Sequence, residues 1–256
     1  MNENELVPER QARLAAYIQE RGSAHIDELA QRFRISAATV RRDLGALEEQ
    51  GLARRVHGGA VALRPRLEEP LFGEKESMAS GEKQRIAAEA LTLVVHGSTI
   101  YLDGGSTVLE LARLLADRTD VTVVTNSLRA ALELAGRGPR LILVGGELRR
   151  LSQTTVGALT RFVLSEIRVE MAFMGTMGFS LPEGMTTSDP NEAYTKELAM
   201  RAADRVVLLA DSGKARQVAF ARVADLRRVH TLITDAAFPA ALEKSLKQNG
   251  TTVVRV

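Results

Sequence analysis

Apolar residues recur at helical spacing three times in the opening stretch of the chain, and then the period changes. Leu14, Tyr17 and Ile18 fall on one face of a helix over Pro8–Arg21, which Gly22 closes. Ile26, Leu29, Ala30 and Phe33 mark a second, shorter helix, and a tight turn begins at Ile35. Ser36 is a natural N-cap for a third helix, whose inward face is Val40, Leu44 and Leu47 and which ends at Gly51. Two short helices joined by such a turn fit the helix-turn-helix pattern. The runs Leu52–Val56 and Ala60–Leu63 flank His57-Gly58-Gly59, a glycine-rich turn that predicts a β-hairpin. Three helices and a hairpin predict a winged helix-turn-helix over residues 8–63.

The segment Arg64-Pro65-Arg66-Leu67-Glu68-Glu69-Pro70 has two prolines, four charges and no periodicity, so residues 64–81 are predicted as linker. From residue 82 to 256 the pattern alternates between strand-length apolar runs and helical stretches. The strands are predicted at Thr99–Asp103, Val121–Asn126, Arg140–Gly145, Met171–Gly175, Val206–Asp211, Thr231–Asp235 and Thr252–Val256. Helices are predicted at Thr107–Ala116, Leu128–Ala135, Glu192–Ala203 and Ala240–Lys247. This is the pattern of an α/β domain, a mostly parallel sheet with helices on both faces.

Composition changes this picture at a few points. The chain has 256 residues, 45% hydrophobic and 26% charged, as expected of a globular protein. It holds no apolar run of membrane-spanning length, and its acidic, polar start does not resemble a signal peptide. With no cysteine and four scattered histidines (His25, His57, His96 and His230), disulfides and a metal centre are not expected. These features predict a cytoplasmic protein without membrane contact. Net charge is only +2, but between Arg32 and Arg64 seven arginines stand against three acids, the local basic excess of a nucleic-acid footprint.

Candidate chemistry follows the two segments. In a helix-turn-helix the second helix of the pair enters the major groove N-terminus first. Here that edge is Ser36, Ala37, Ala38, Thr39, Arg41 and Arg42, with both arginines off the apolar stripe. An outward arginine there can fork onto guanine or pair with phosphate; the alternative is a solvated arginine paired with Glu48 or Glu49. Arg54, Arg55 and His57 sit where a wing touches the DNA backbone or minor groove.

In the second segment, Asp103-Gly104-Gly105-Ser106-Thr107 follows a strand and opens a helix. Its glycines and free N–H groups make an anion cradle to which Ser106 and Thr107 add hydroxyls. Other strand ends carry Asn126-Ser127, Gly145-Gly146-Glu147, Gly175-Thr176 and Asp211-Ser212-Gly213-Lys214. Ligands of open parallel sheets bind outside such ends, and Lys214 is placed to reach the same anion. Glu192 and Lys196, at i,i+4, suit an exposed salt bridge unless the fold turns them inward. No nucleotide-binding glycine motif occurs, and no cofactor is expected.

Thr39-Val40-Arg41-Arg42-Asp43-Leu44, followed by Gly51 and Arg55-Val56-His57-Gly58-Gly59-Ala60, resembles the signature of the DeoR family of bacterial repressors. The resemblance continues through residues 103–107, 125–127, 145–147, Gly157, 173–178, Glu192 with Lys196, and 211–214. It implies DNA contact from the residues above and from Gly58, and implies that Asp43 orients a neighbouring arginine. It further implies a sensor domain similar to ribose-5-phosphate isomerase, which binds a phosphorylated sugar through the strand-end residues, Glu192 and Lys196.

The function this implies is a repressor of carbohydrate-catabolism genes, released from operator DNA by a sugar phosphate and assembled as a homodimer or tetramer. A sugar-phosphate isomerase with a DNA-binding head is the rival. Isomerases of this fold carry paired aspartates where this chain has Gly175-Thr176-Met177-Gly178, and Glu192 alone remains as a candidate acid or base. A purely structural dimerisation domain leaves the polar strand ends unexplained.

Overall fold

The computed structural model describes residues 6–50, 52–56, 58–62 and 69–256, so the expectations placed on Gly51, His57 and Arg64 lie outside the described residues. The chain divides into two compact units, Met1–Arg66 and Leu67–Val256.

The first unit runs α1 (Val7–Arg21), β1 (Ser23–His25), α2 (Ile26–Phe33), α3 (Ala37–Glu49), β2 (Ala53–Val56) and β3 (Gly59–Ala62). Its core is the set of stripes read from the sequence: Leu14 and Ile18 of α1, Leu29 of α2, and Val40, Leu44 and Leu47 of α3. Between α2 and α3 the chain turns at Arg34, which takes the left-handed conformation (φ 54°). The Ser36 hydroxyl then accepts from the Thr39 N–H at 3.1 Å and caps α3. The sequence pattern did not reveal β1, which pairs with β3 to make the antiparallel order β1-β3-β2. Gly59 permits that pairing, because a Cβ there would lie 2.3 Å from the Ala24 carbonyl oxygen.

The second unit contains α4 (Phe72–Ser77), α5 (Ser80–Thr92), β4 (Thr99–Leu102), α6 (Ser106–Leu114), β5 (Thr122–Thr125), α7 (Leu128–Leu134) and β6 (Arg140–Leu143). A hairpin, β7 (Glu147–Arg149) and β8 (Thr154–Val156), and the short α8 (Arg161–Leu164) come next. Then follow β9 (Val169–Met174), β10 (Gly178–Ser180), β11 (Gly184–Thr187), α9 (Pro190–Arg201), β12 (Ala203–Leu209) and β13 (Ala221–Ala224). The unit closes with β14 (Thr231–Thr234), α10 (Ala240–Gln248) and β15 (Thr252–Arg255).

All seven predicted strands enter one sheet of order β15-β14-β12-β9-β4-β5-β6, with every pair parallel. Alternate residues feed opposite faces. Tyr101, Val124 and Leu208 join α9 and α10 in one core, whereas Ile100, Val123 and Val207 join α5, α6 and α7 in the other. The chain lays β4, β5 and β6 outward in order, then returns to place β9 on the other side of β4. The strand order therefore reverses between β4 and β9.

The stretch expected to link the units up to Gly81 is instead folded from Glu69 onward. Phe72 of α4 is buried in the same core as α5 and α6, and α5 begins at Ser80. A single aromatic among charges gives no helical period, which is why the pattern missed it.

Candidate functional site

The reversal between β4 and β9 opens a crevice at their carboxyl ends, where open α/β sheets take ligands. Asp103 ends β4 and Gly175 ends β9, and the Gly175 N–H donates to Asp103 Oδ2 at 3.0 Å. Gly175 must be glycine for this approach, since a Cβ there would lie 2.8 Å from the Gly104 carbonyl oxygen. Lys196 projects from α9 into the same place. Its ammonium donates to Asp103 Oδ2, and to the Gly175 carbonyl at 3.2 Å.

Glu192, one turn earlier, has its Oε1 3.5 Å from Lys196 and accepts from the Thr187 hydroxyl at 3.0 Å. Thus the i,i+4 pair is turned inward, with the Lys196 side chain only 3% exposed. Burial works against the ammonium, but Asp103 and Glu192 outweigh it and raise its pKa.

A cavity of about 200 Å³ lies over this floor. Gly104, Gly105, Ser106 and Thr107 form one wall, Gly175 with Glu192 and Lys196 the base, and Asp211 and Lys214 the far wall after β12. Asp103 reaches it through Lys196. The α6 N-terminus at this wall has no side-chain cap, whereas Ser127 caps α7 and Asp189 caps α9. The orphan N–H groups and the positive end of the α6 dipole therefore face the cavity.

The roof comes from the segment read as linker, and sequence reasoning missed it. Lys75 on α4 donates from its ammonium to Glu69 Oε1. Arg149 of β7 donates to Glu69 Oε2 at 2.6 Å, and the Ser188 hydroxyl donates to the same oxygen. Burial alone would raise the Glu69 carboxyl; hydrogen bonds from Arg149, Lys75 and Ser188 instead hold its pKa at about 2. Arg149 also stands 3.2 Å from Glu192 Oε2. One chain of alternating charge thus runs Lys75, Glu69, Arg149, Glu192, Lys196, Asp103. Lys83 of α5 donates to the carbonyls of Lys75 and Met78, and Ser106 Oγ donates to the Lys75 carbonyl at 3.2 Å. Burial lowers the pKa of both Lys75 and Lys83.

Five expected ligand residues do not line this cavity: Asp103, which lies beneath it, and Asn126, Ser127, Gly145 and Gly146. Asn126 Nδ2 donates to the Thr155 carbonyl, and Ser127 caps α7. Gly145 and Gly146 sit at the β6–β7 turn, where a Cβ on Gly146 would lie 2.9 Å from Thr160 Cγ2. For the last four the physical reason is the β7–β8 hairpin. It docks across the ends of β5 and β6, with Thr155 N–H donating to the Asn126 carbonyl and its hydroxyl to the Val144 carbonyl.

In the first unit, Arg41 and Arg42 are exposed on α3, and no pairing to Glu48 or Glu49 occurs among the described residues. Glu48 accepts instead from the Arg55 N–H at 2.9 Å, fixing β2 to α3. Ser36, Ala37 and Thr39 form the first turn, while Arg54, Arg55 and Gly58 are exposed along the hairpin. Asp43 holds an arginine, but that of α1 rather than one of its own helix. It is buried and accepts from Arg10 of α1 at 2.7 Å, tying α1 to α3.

A helix-turn-helix with exposed arginines on its second helix, together with a parallel α/β unit bearing a charged cavity at its switch point, is the architecture of a DNA-binding regulator. The DeoR-like helix-turn-helix domain matches residues 10–66, and the DeoR C terminal sensor domain matches residues 78–236. The HTH-type transcriptional regulator GlpR of Haloferax volcanii is 33% identical over 249 residues, covering 97% of this chain and 98% of that protein. The lactose phosphotransferase system repressor of Streptococcus mutans is 35% identical over 243 residues, 93% of this chain and 96% of its own. The chain belongs to the DeoR family of transcriptional regulators.

Among solved structures, ribose 5-phosphate isomerase A from Methanocaldococcus jannaschii is similar, at 21% identity and TM-score 0.41 over 53% of this chain and 54% of that one. The chain is a DNA-binding transcription regulator and not an enzyme, as its relatives are. No helix among the described residues is long and apolar enough to cross a membrane.

Proposed function

We propose that this regulator represses carbohydrate-catabolism genes and leaves its operator when a phosphorylated sugar enters the cavity of the sensor domain. The carrying observation is the uncapped, buried N-terminus of α6, which faces a cavity that also holds Lys75, Lys83, Lys196 and Lys214. Backbone donors, a helix dipole and ammonium groups suit a phosphate, and the carboxylates of Glu192 and Asp211 suit sugar hydroxyls. Asp103 is already held by Lys196 and the Gly175 N–H, so it is committed to the architecture rather than available as a base.

On the DNA side, Ser36, Ala37, Thr39, Arg41 and Arg42 read the major groove, and Arg54, Arg55, His57 and Gly58 contact the duplex from the wing. One such module makes a small interface, so the protein works as a homo-oligomer on repeated half-sites, assembled through the sensor domain. It acts in the cytoplasm, where the operator is. An effector that lowers operator affinity about 100-fold needs a coupling of about 2.7 kcal/mol, within the range of allosteric proteins.

A thermal-shift comparison of sugar phosphates with their unphosphorylated parents tests the reading. A melting temperature raised by a phosphorylated sugar and not by its parent supports it. Equal shifts from both members of every pair count against the phosphate.

A further inference from the structure

A phosphate entering this cavity meets a carboxylate already paired with one of its lysines. This argument rests on the anion-site reading above. Of the cations facing the cavity, Lys196 is fixed by Asp103 and Glu192, Lys83 is held by the carbonyls of Lys75 and Met78, and Lys214 stands apart at the far wall after β12. Lys75 is paired with Glu69 and both line the cavity, as Lys196 and Glu192 do, but Glu69, unlike Glu192, lies outside any helix or strand. The Glu69 side chain is 2% exposed and carries its charge, since three donors hold its pKa at about 2.

A phosphate dianion placed beside Lys75 adds to the negative charge already crowded around the cavity cations, which favours the departure of one cavity carboxylate. Glu192 is part of α9, whose N-terminus is closed by Asp189 accepting from the Glu192 N–H at 2.9 Å. Asp211 is fixed in its own turn, accepting from the Gly213 N–H at 3.0 Å. Glu69 lies in backbone without regular structure, just ahead of α4, and its carboxylate is held by side chains rather than by a helix or strand. α4 itself is seated by Phe72 in the core.

We propose that Glu69 is an internal counter-anion that holds Lys75 in the ligand-free protein and is expelled when a phosphate takes Lys75 in its place. Lys75 keeps α4 closed over the ligand, and Glu69 leaves Arg149 and Ser188. Glu69 directly follows the segment that leads, in sequence, from the DNA-reading unit. Its expulsion therefore acts on the connecting chain, which gives the effector a covalent route to the first domain. Glu69 is a positioning and switching residue by this account, not a ligand contact.

The test is calorimetric titration of inorganic phosphate into the full-length protein and its variants. Glu69→Gln keeps the shape and removes the charge, and is expected to bind phosphate at least tenfold more tightly. Ser188→Ala removes one donor to Glu69 without altering cavity charge, and is expected to tighten binding two- to threefold; it also serves if Glu69→Gln folds poorly. The discriminating variant is Lys75→Met. If Glu69→Gln acts by freeing Lys75, its gain disappears in the Lys75→Met background, whereas a general charge effect persists there.

Unchanged or weaker binding in both Glu69→Gln and Ser188→Ala, or a gain that survives Lys75→Met, overturns the exchange and leaves the anion site standing. Failure of the wild type and every variant to bind phosphate overturns both.

Discussion

Asp103 and Lys196, 93 residues apart in sequence, meet as a buried ion pair beneath the cavity. Their contact ties the end of β4 to α9, and the Gly175 N–H on the same carboxylate adds β9. Removing one partner strands the other charge in the interior, which typically costs about 3–5 kcal/mol. Asp103→Ala is therefore expected to destabilise the second unit by about 3 kcal/mol, with Glu192 at 3.5 Å softening the loss. Urea unfolding monitored on that unit checks this. A cost below about 1 kcal/mol would show that the pair does not organise the switch point.

DNA reading is expected to depend on the exposed face of α3. Arg41→Ala or Arg42→Ala should each cost about 1–3 kcal/mol in operator affinity where a base is read, and should relax specificity at that position. Both residues are exposed, so stability should be nearly unchanged. Asp43→Ala is the contrast. It breaks the Arg10 tie between α1 and α3, so it should lower the melting temperature of the first unit along with binding. Wild-type affinity in both arginine variants at matched salt would remove α3 from the groove.

The Glu69 network has an acid signature. The carboxyl is lowered from 4.5 to about 2, by hydrogen bonds from Arg149, Lys75 and Ser188 acting against burial. A depressed carboxyl contributes stability that is complete above its unfolded pKa and is lost as pH falls through the folded one. The stability difference between wild type and Glu69→Gln should therefore be constant above about pH 5 and shrink as pH falls toward 2. Denaturant midpoints for the pair across pH 2–7 measure it. A difference that stays level throughout would mean that Glu69 is not held as a charged group.

Much of this architecture is written locally in the sequence. The inner sheet strands are apolar runs buried on both faces, the edge strands β6 and β15 only in part, and the caps at Ser36, Ser127 and Asp189 follow from side-chain chemistry within three residues. The short strands β1, β7, β8, β10, β11 and β13 exist only through pairing, as β1 does against Gly59, so no local period announces them. The site divides the same way. Gly104–Thr107 and Lys214 were legible as cavity-wall residues because each follows the end of a sheet strand with glycine and polar groups.

Glu69, Lys75 and Arg149 were not legible, because Glu69 and Lys75 stand in a charged stretch without an apolar period and their network closes through Arg149, 80 residues from Glu69. Asn126, Ser127, Gly145 and Gly146 looked like ligand residues because a polar strand end reads the same whether a ligand or a hairpin covers it. Here the β7–β8 hairpin covers it.

The most direct test of the account is fluorescence anisotropy of a labelled operator, selected by the protein from random duplexes, during titration with matched sugars and sugar phosphates. Wild type, Ser106→Asp and Ser106→Ala are compared. Ser106→Asp sets a fixed carboxylate in the cradle, where the α6 dipole stabilises it. Ser106→Ala loses only the hydrogen bond to the Lys75 carbonyl. All three proteins should bind operator alike, since the first unit is untouched. Wild type and Ser106→Ala should release DNA to a phosphorylated sugar and not to its parent, and Ser106→Asp should release it to neither. Equal release by both members of a pair, or normal release from Ser106→Asp, would contradict a phosphate held by this loop.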